Sequence, residues 1–253
     1  MPTESLTFSS TNGTVLDARL DLPEPGAQVI GHAVFAHCFT CNKNLNVVRR
    51  DSDALTGHGL GVLRFDFTGL GQSAGAFDES HFEQNTADLR TACAFMADRD
   101  QPVRLLVGHS LGGAAVLRVA NELPDVRAVA TIGAPADPRH VKHLFRDPDF
   151  DDQGKADVEI GGRPFTISRD FVDALDNQKL EERVAELRRP LMVFHSPVDR
   201  VVGIEHAERI FKAARHPKSF LSLGQSDHMV SKAQDAKYLG HVLGTWASFA
   251  VGD

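Results

Sequence analysis

Seven short apolar runs separated by helical patterns constrain the fold of this chain more than any other feature. They lie around residues 14–22, 33–37, 61–67, 103–108, 126–132, 191–195 and 218–223. Runs this continuous read as strands covered on both faces. Between them, Leu89, Ala92, Cys93 and Met96 fall at i, i+3, i+4 and i+7, and Ile210, Phe211 and Ala214 continue a similar stripe in the segment from Ile204. Strand then helix, repeated, predicts an α/β fold: a mostly parallel central sheet with helices on both faces. A chain of 253 residues buries about 70% of its unfolded surface, enough for one core without staples, so residues 1–253 are expected to form a single domain. The stretch of about 136–189 breaks the rhythm, being dense in Asp, Glu, Lys and Arg. Within it, Val158 and Ile160, then Gly161-Gly162, then Phe165 and Ile167 signal a tight hairpin. A helix with Leu180, Val184 and Leu187 on one face follows. So few apolar positions predict a small inserted cap that packs against the main sheet.

Charge and composition narrow the partners. A net charge of −7 supplies no field to attract phosphate backbones, which argues against nucleic acid. The N-terminal MPTESLTFSS lacks a basic segment followed by an apolar one, and no apolar run approaches the roughly 18 residues of a membrane span. No membrane partner is expected. Three cysteines do not suggest a disulfide framework, so a reducing, cytoplasmic setting with free thiols is expected. A small molecule is the expected partner.

The strongest chemical signal is Gly108-His109-Ser110-Leu111-Gly112-Gly113, between the apolar run VRLLV and the helical pattern AAVLRVANEL. A serine on a sharp strand-to-helix turn needs small residues two positions either side, because larger ones would strike neighbouring backbone. The helix start behind Ser110 aims free N–H groups at developing negative charge. Such a serine needs a base and an orienting acid, which in this architecture come later in the chain, acid first. Of twelve histidines, His228 stands best, in the loop after the last expected strand. His109 is expected to point away from the serine, beneath the sheet, and His195 lies within a strand. Asp199 falls just past the C-terminal end of the run Leu191 to His195, the edge where ligands bind in open α/β sheets. Asp227 is the rival acid, but next to His228 it is poorly placed to reach that imidazole's Nδ1.

Ser110, Asp199 and His228, in that order and with an insertion before Asp199, resemble the α/β-hydrolase family over almost the whole chain. That resemblance implies a loop after an early strand that supplies an oxyanion donor, here His37-Cys38-Phe39-Thr40. The implied donors are the backbone N–H groups of Leu111 and Phe39, with Cys38 the alternative to Phe39. The run Asp66-Phe67-Thr68-Gly69-Leu70-Gly71-Gln72-Ser73 looks like the family's turn after its next strand. Together HCFTCNK, FDFTGLGQS and IGGRPFTI resemble the hydrolase half of bacterial proteins that fuse this domain to an OsmC-like peroxide-reducing domain. No OsmC-like segment is present in these 253 residues, so peroxidase chemistry is not carried over.

Three other patterns fit less well. Gly69-x-Gly71-x-x-Ala74 matches a relaxed dinucleotide fingerprint, but the next helical pattern begins near His81, several residues too late. Cys38 and Cys41 have the spacing of a redox pair. Asp147, Asp149, Asp151 and Asp152 resemble the start of a calcium loop, yet its sixth position is aspartate and its twelfth is Val158. The expected function is therefore that of a serine hydrolase, a carboxylesterase acting on a small acyl substrate, with no metal and no organic cofactor. The alternatives are a thioesterase, amidase or acyltransferase using the same three residues, or a ligand-binding protein with vestigial turnover. A cap poor in apolar surface favours short acyl chains over long ones.

Overall fold

A computed structural model describes residues 1–145, 148–160, 163–176 and 178–252. The apolar runs form a sheet of eight strands: β1 (Thr3–Ser9), β2 (Val15–Asp21), β3 (Gly31–Ala36), β4 (Leu60–Phe65), β5 (Val103–His109), β6 (Ala128–Ile132), β9 (Leu191–His195) and β10 (Lys218–Ser222). Their spatial order is β1-β2-β4-β3-β5-β6-β9-β10. From β4 to β10 every pairing is parallel, while β1 pairs antiparallel with β2 and β2 with β4. β1 is missing from the seven apolar runs for a physical reason. An antiparallel edge strand needs only one covered face, and Leu6 and Phe8 suffice to pack it.

Alternation along the central strands divides the core in two. Val34 and Ala36 of β3 face one layer, built with α2 (Phe82–Asp98), α3 (Leu111–Val119) and α6 (Ile204–Ala213). Ala33 and Phe35 face the other, covered by α1 (Asn46–Gly57) and α7 (Ala233–Val251). Successive side chains of a strand point to opposite faces, so a strand buried on both sides must be apolar throughout.

Between β6 and β9 the chain leaves the sheet. A 3-10 segment (Pro138–Leu144) leads to the antiparallel pair β7 (Lys155–Ile160) and β8 (Arg163–Ser168), then α4 (Arg169–Asp173) and α5 (Leu180–Glu186). The pair registers Val158 opposite Phe165 and Ala156 opposite Ile167, as the alternation predicts. Its turn, Gly161-Gly162, lies outside the described residues, as does Asp147 of the acidic run. Leu180, Val184 and Leu187 are buried, and Phe145, Ile167 and Phe171 join the same core as α2 and α3. The few apolar side chains of this segment therefore serve mainly to hold it onto the body.

Candidate active site

Ser110 occupies the turn between β5 and α3 with φ 54° and ψ −125°. That conformation costs of order 1–3 kcal/mol for a residue with a Cβ and persists only where its surroundings over-determine it. Here they do: Ser110 N–H donates to Ile132 O at 2.8 Å, and its carbonyl accepts from Gly113 N–H at 2.8 Å. The flanking glycines are required by contact. A Cβ on Gly108 would lie 2.4 Å from Gly112 O, and one on Gly112 would lie 2.3 Å from Ala36 O. Leu111 begins α3, so its N–H is among the first-turn donors with no acceptor inside the helix.

Asp199 and His228 come together across two strand ends. His228 Nδ1–H donates to Asp199 Oδ2 at 2.7 Å, while Asp199 Oδ1 accepts from Val201 N–H at 2.8 Å and Val202 N–H at 2.9 Å. Burial pushes the Asp199 carboxyl up. The hydrogen bond and charge of His228 and the two backbone donors outweigh burial, leaving it below the ordinary carboxylate range. The carboxylate thus stays ionised and accepts the hydrogen on His228 Nδ1. Gly133, at φ 57°, makes room for the pair: a Cβ there would lie 3.3 Å from His228 Nδ1 and 3.4 Å from Asp199 Oδ2. Asp227 is turned elsewhere, accepting from Ser231 N–H at 2.8 Å.

Ser110, His228, Cys38 and Phe39 line one cavity of about 350 Å³. Its other walls include Val141, Leu144, Ile160, Val201, Val202 and Met229. The loop that carries Phe39 is held from several sides. His37 Nδ1–H donates to Cys38 O at 2.8 Å, and Phe67 N–H donates to His37 Nε2 at 3.3 Å. Cys41 N–H also donates to Cys38 O, at 3.2 Å. Further along, Lys43 is wholly buried, pairing with Asp66 and with Asp17 at 2.6 Å. Asp66 also accepts from the backbone N–H groups of Lys43 at 2.6 Å and Gln72 at 2.8 Å, tying the loops after β3 and β4 together. Removing one partner of such a buried pair costs about 3–5 kcal/mol, so this network sets the loop's position firmly.

Two expectations need correction. Cys38 and Cys41 are joined by a disulfide, not free thiols, because the tight turn brings their Cα atoms to 5.4 Å. The free cysteine is Cys93, which is buried. The argument for a reducing setting from unpaired thiols therefore lapses. No helix among the described residues is long and apolar enough to cross a membrane. His109, in turn, does not point away from the site. Its Nε2–H donates to His228 O at 2.8 Å, so it braces the loop that carries His228. Spacing next to Ser110 hid this contact, because it closes across a sequence separation of 119 residues.

Buried neutral histidines make the fold acid-sensitive. Burial pushes His109 down to about 3, and burial with the neighbouring His140 pushes His206 down to about 4. In the unfolded chain both would take up a proton near 6.5. Between about pH 4 and 6.5 the unfolded state therefore binds more protons, and stability falls as pH falls. The slope is roughly 1.4 kcal/mol per pH unit for each histidine, and the contribution is complete above 6.5. Urea unfolding at pH 7.5 and pH 5 is expected to show this loss, and His206→Asn should flatten it. An equal loss in the variant would remove His206 as a cause.

A serine at a strand-to-helix turn, lining one cavity with an imidazole bonded to a carboxylate at the C-terminal edge of a parallel sheet, is the arrangement of α/β hydrolases. The chain belongs to that family, whose model, described as Alpha/beta hydrolase family, matches residues 33–244. It is similar to the crystal structure of the esterase domain of a Rhodothermus marinus protein, with 53% identity, 100% of both chains covered and a TM-score of 0.84. It shares the fold of Est1E from Butyrivibrio proteoclasticus, solved with ferulic acid, at 18% identity, 98% and 100% coverage and a TM-score of 0.86. Monoacylglycerol lipase of Mycolicibacterium smegmatis is 27% identical over 219 residues, which cover 73% of this chain and 74% of that protein.

Proposed function

We propose that this protein is a serine hydrolase of small carboxylic esters, with Ser110 as nucleophile, His228 as base and Asp199 as its orienting acid. The observation that carries the reading is the 2.7 Å bond from His228 to Asp199, with His228 and Ser110 lining one cavity. The 53% identity to an esterase domain over the full chain supports the reaction class. His228 Nε2 would take the Ser110 proton as Oγ attacks the ester carbonyl, then return it to the departing alkoxide, leaving an acyl-serine. Water, activated by the same nitrogen, would then release the acid and restore Ser110.

The oxyanion would be met by the N–H groups of Leu111 and Phe39. Cys38 O is taken by His37 and Cys41, and in a planar trans peptide the following N–H points the opposite way. That favours Phe39 over Cys38 as the donor. The reading requires no metal or organic cofactor.

The walls argue for a short acyl group. Of the apolar residues in the segment between β6 and β9, Val141, Leu144 and Ile160 reach the cavity, while Phe145, Ile167 and Phe171 are spent on packing. Each methylene gains roughly 0.8 kcal/mol only if it leaves water, and three apolar side chains from this segment offer a long chain little cover. Nitrophenyl esters of graded length, assayed below their solubility limits against a Ser110→Ala blank, are expected to show higher kcat/KM from acetyl to hexanoyl than for chains of twelve carbons. A rise continuing past ten carbons would overturn the short-chain reading. Turnover of no ester at all would overturn the esterase.

A further inference from the structure

A second cavity, of about 590 Å³, opens between α1 and α7 and shares no lining residue with the Ser110 site. Its wall carries Arg50, Lys237, His58 and His241 against one acid, Asp53. On a protein of net charge −7, two permanent cations facing one carboxylate invert the local field. None of the four basic side chains has a hydrogen-bond or ion-pair partner among the described residues. For Arg50 the lack is costly, because its Nη1 is buried as well as unpaired. A buried donor left unsatisfied costs about 1–3 kcal/mol, and more on a charged group.

Two further features lie close to this cavity. Asp51 is wholly buried beneath the floor, with both carboxyl oxygens unpartnered among the described residues. A Cβ on the floor residue Gly240 would lie 3.5 Å from its Oδ1. Burial raises the Asp51 carboxyl well above the usual carboxylate range, and the side chain lies behind the cavity wall, not in it. The mouth also includes Ala233, the first residue of the 19-residue α7, whose N-cap residue Lys232 supplies no side-chain cap. The N–H groups of that first turn are open to an anion. Asp235, although in the same turn, does not line the cavity.

We propose that the α1/α7 cavity is a second ligand site, built for the phosphate monoester of a small organic molecule. Arg50 and Lys237 hold the dianion, and the organic group rests on the floor of Ala54, Ala236 and Gly240. A carboxylate would need only one of the two cations. Inorganic phosphate would leave most of the space empty, since cavities of roughly 300–1,000 Å³ suit ligands of metabolite size.

Calorimetric titration with phenyl phosphate tests this, with benzoate and inorganic phosphate as comparisons. Saturable binding of one phenyl phosphate per chain is expected, tighter than either comparison. Lys237→Ala and Arg50→Ala should each weaken it at least tenfold, while Ser110→Ala should leave it unchanged. Lys237 is exposed, so its variant has no reason to misfold. Absence of saturable binding at millimolar concentrations would overturn the proposal. So would equal affinity for benzoate, insensitivity to both cation variants, or loss of binding in Ser110→Ala.

Discussion

Ser110→Ala is expected to lower kcat for ester hydrolysis by on the order of 10⁶, the scale found when a serine protease loses its nucleophile. The size follows from the site's construction. The acid–imidazole pair and the backbone donors stay in place without Oγ, but no acyl-enzyme can form, so only their residual effect on water attack survives. A fluorophosphonate should label the parent protein at Ser110 and leave the variant unlabelled, since the reagent needs both an activated oxygen and preformed oxyanion donors. Peptide mapping decides the point, and labelling at another serine would sink the assignment. The substitution is not expected to destabilise the fold. Alanine carries the same Cβ into the same φ of 54°, so the backbone strain is unchanged.

Asp199→Asn is expected to cost on the order of 10⁴ in kcat, by analogy with the serine-protease magnitude, while Asp227→Asn costs far less. In the parent, Asp199 Oδ2 can only accept, so the His228 proton sits on Nδ1 and Nε2 is left to act as the base in the proposed mechanism. Asparagine presents an NH₂ group in nearly the same volume. It can donate to Nδ1, which moves the proton to Nε2 and leaves no base. Asp227 accepts instead from the Ser231 backbone, and its loss should touch only the loop. Equal losses in the two variants, or the reverse order, would overturn the choice of acid.

Much of this candidate site's geometry was legible in the sequence. Ser110 announced itself because a strained turn tolerates only small neighbours, and the contacts of 2.4 Å and 2.3 Å awaiting a Cβ at Gly108 and Gly112 supply the cause. Asp199 was readable because strand ends mark a sheet's binding edge, and the apolar run before it located that edge. The disulfide was not readable. Cys38 and Cys41 have the same spacing whether they form a bond or remain thiols, and the choice follows from the turn that His37 and Cys41 N–H impose on Cys38 O.

Local chemistry settled what each segment could become: which runs form strands, where the strand-to-helix turn at Ser110 falls and which charge-rich stretch stays out of the sheet. Those properties depend on neighbours within a few positions along the chain, so they survive in sequence alone. Contacts closing over long separations were settled by packing: His109 bracing His228, Lys43 buried between Asp17 and Asp66, and Arg50 and Lys237 brought to one cavity by α1 and α7. Which side chains meet there depends on how helices seat against the sheet. That geometry arises from the summed burial of two whole core layers, and no short stretch of residues encodes it.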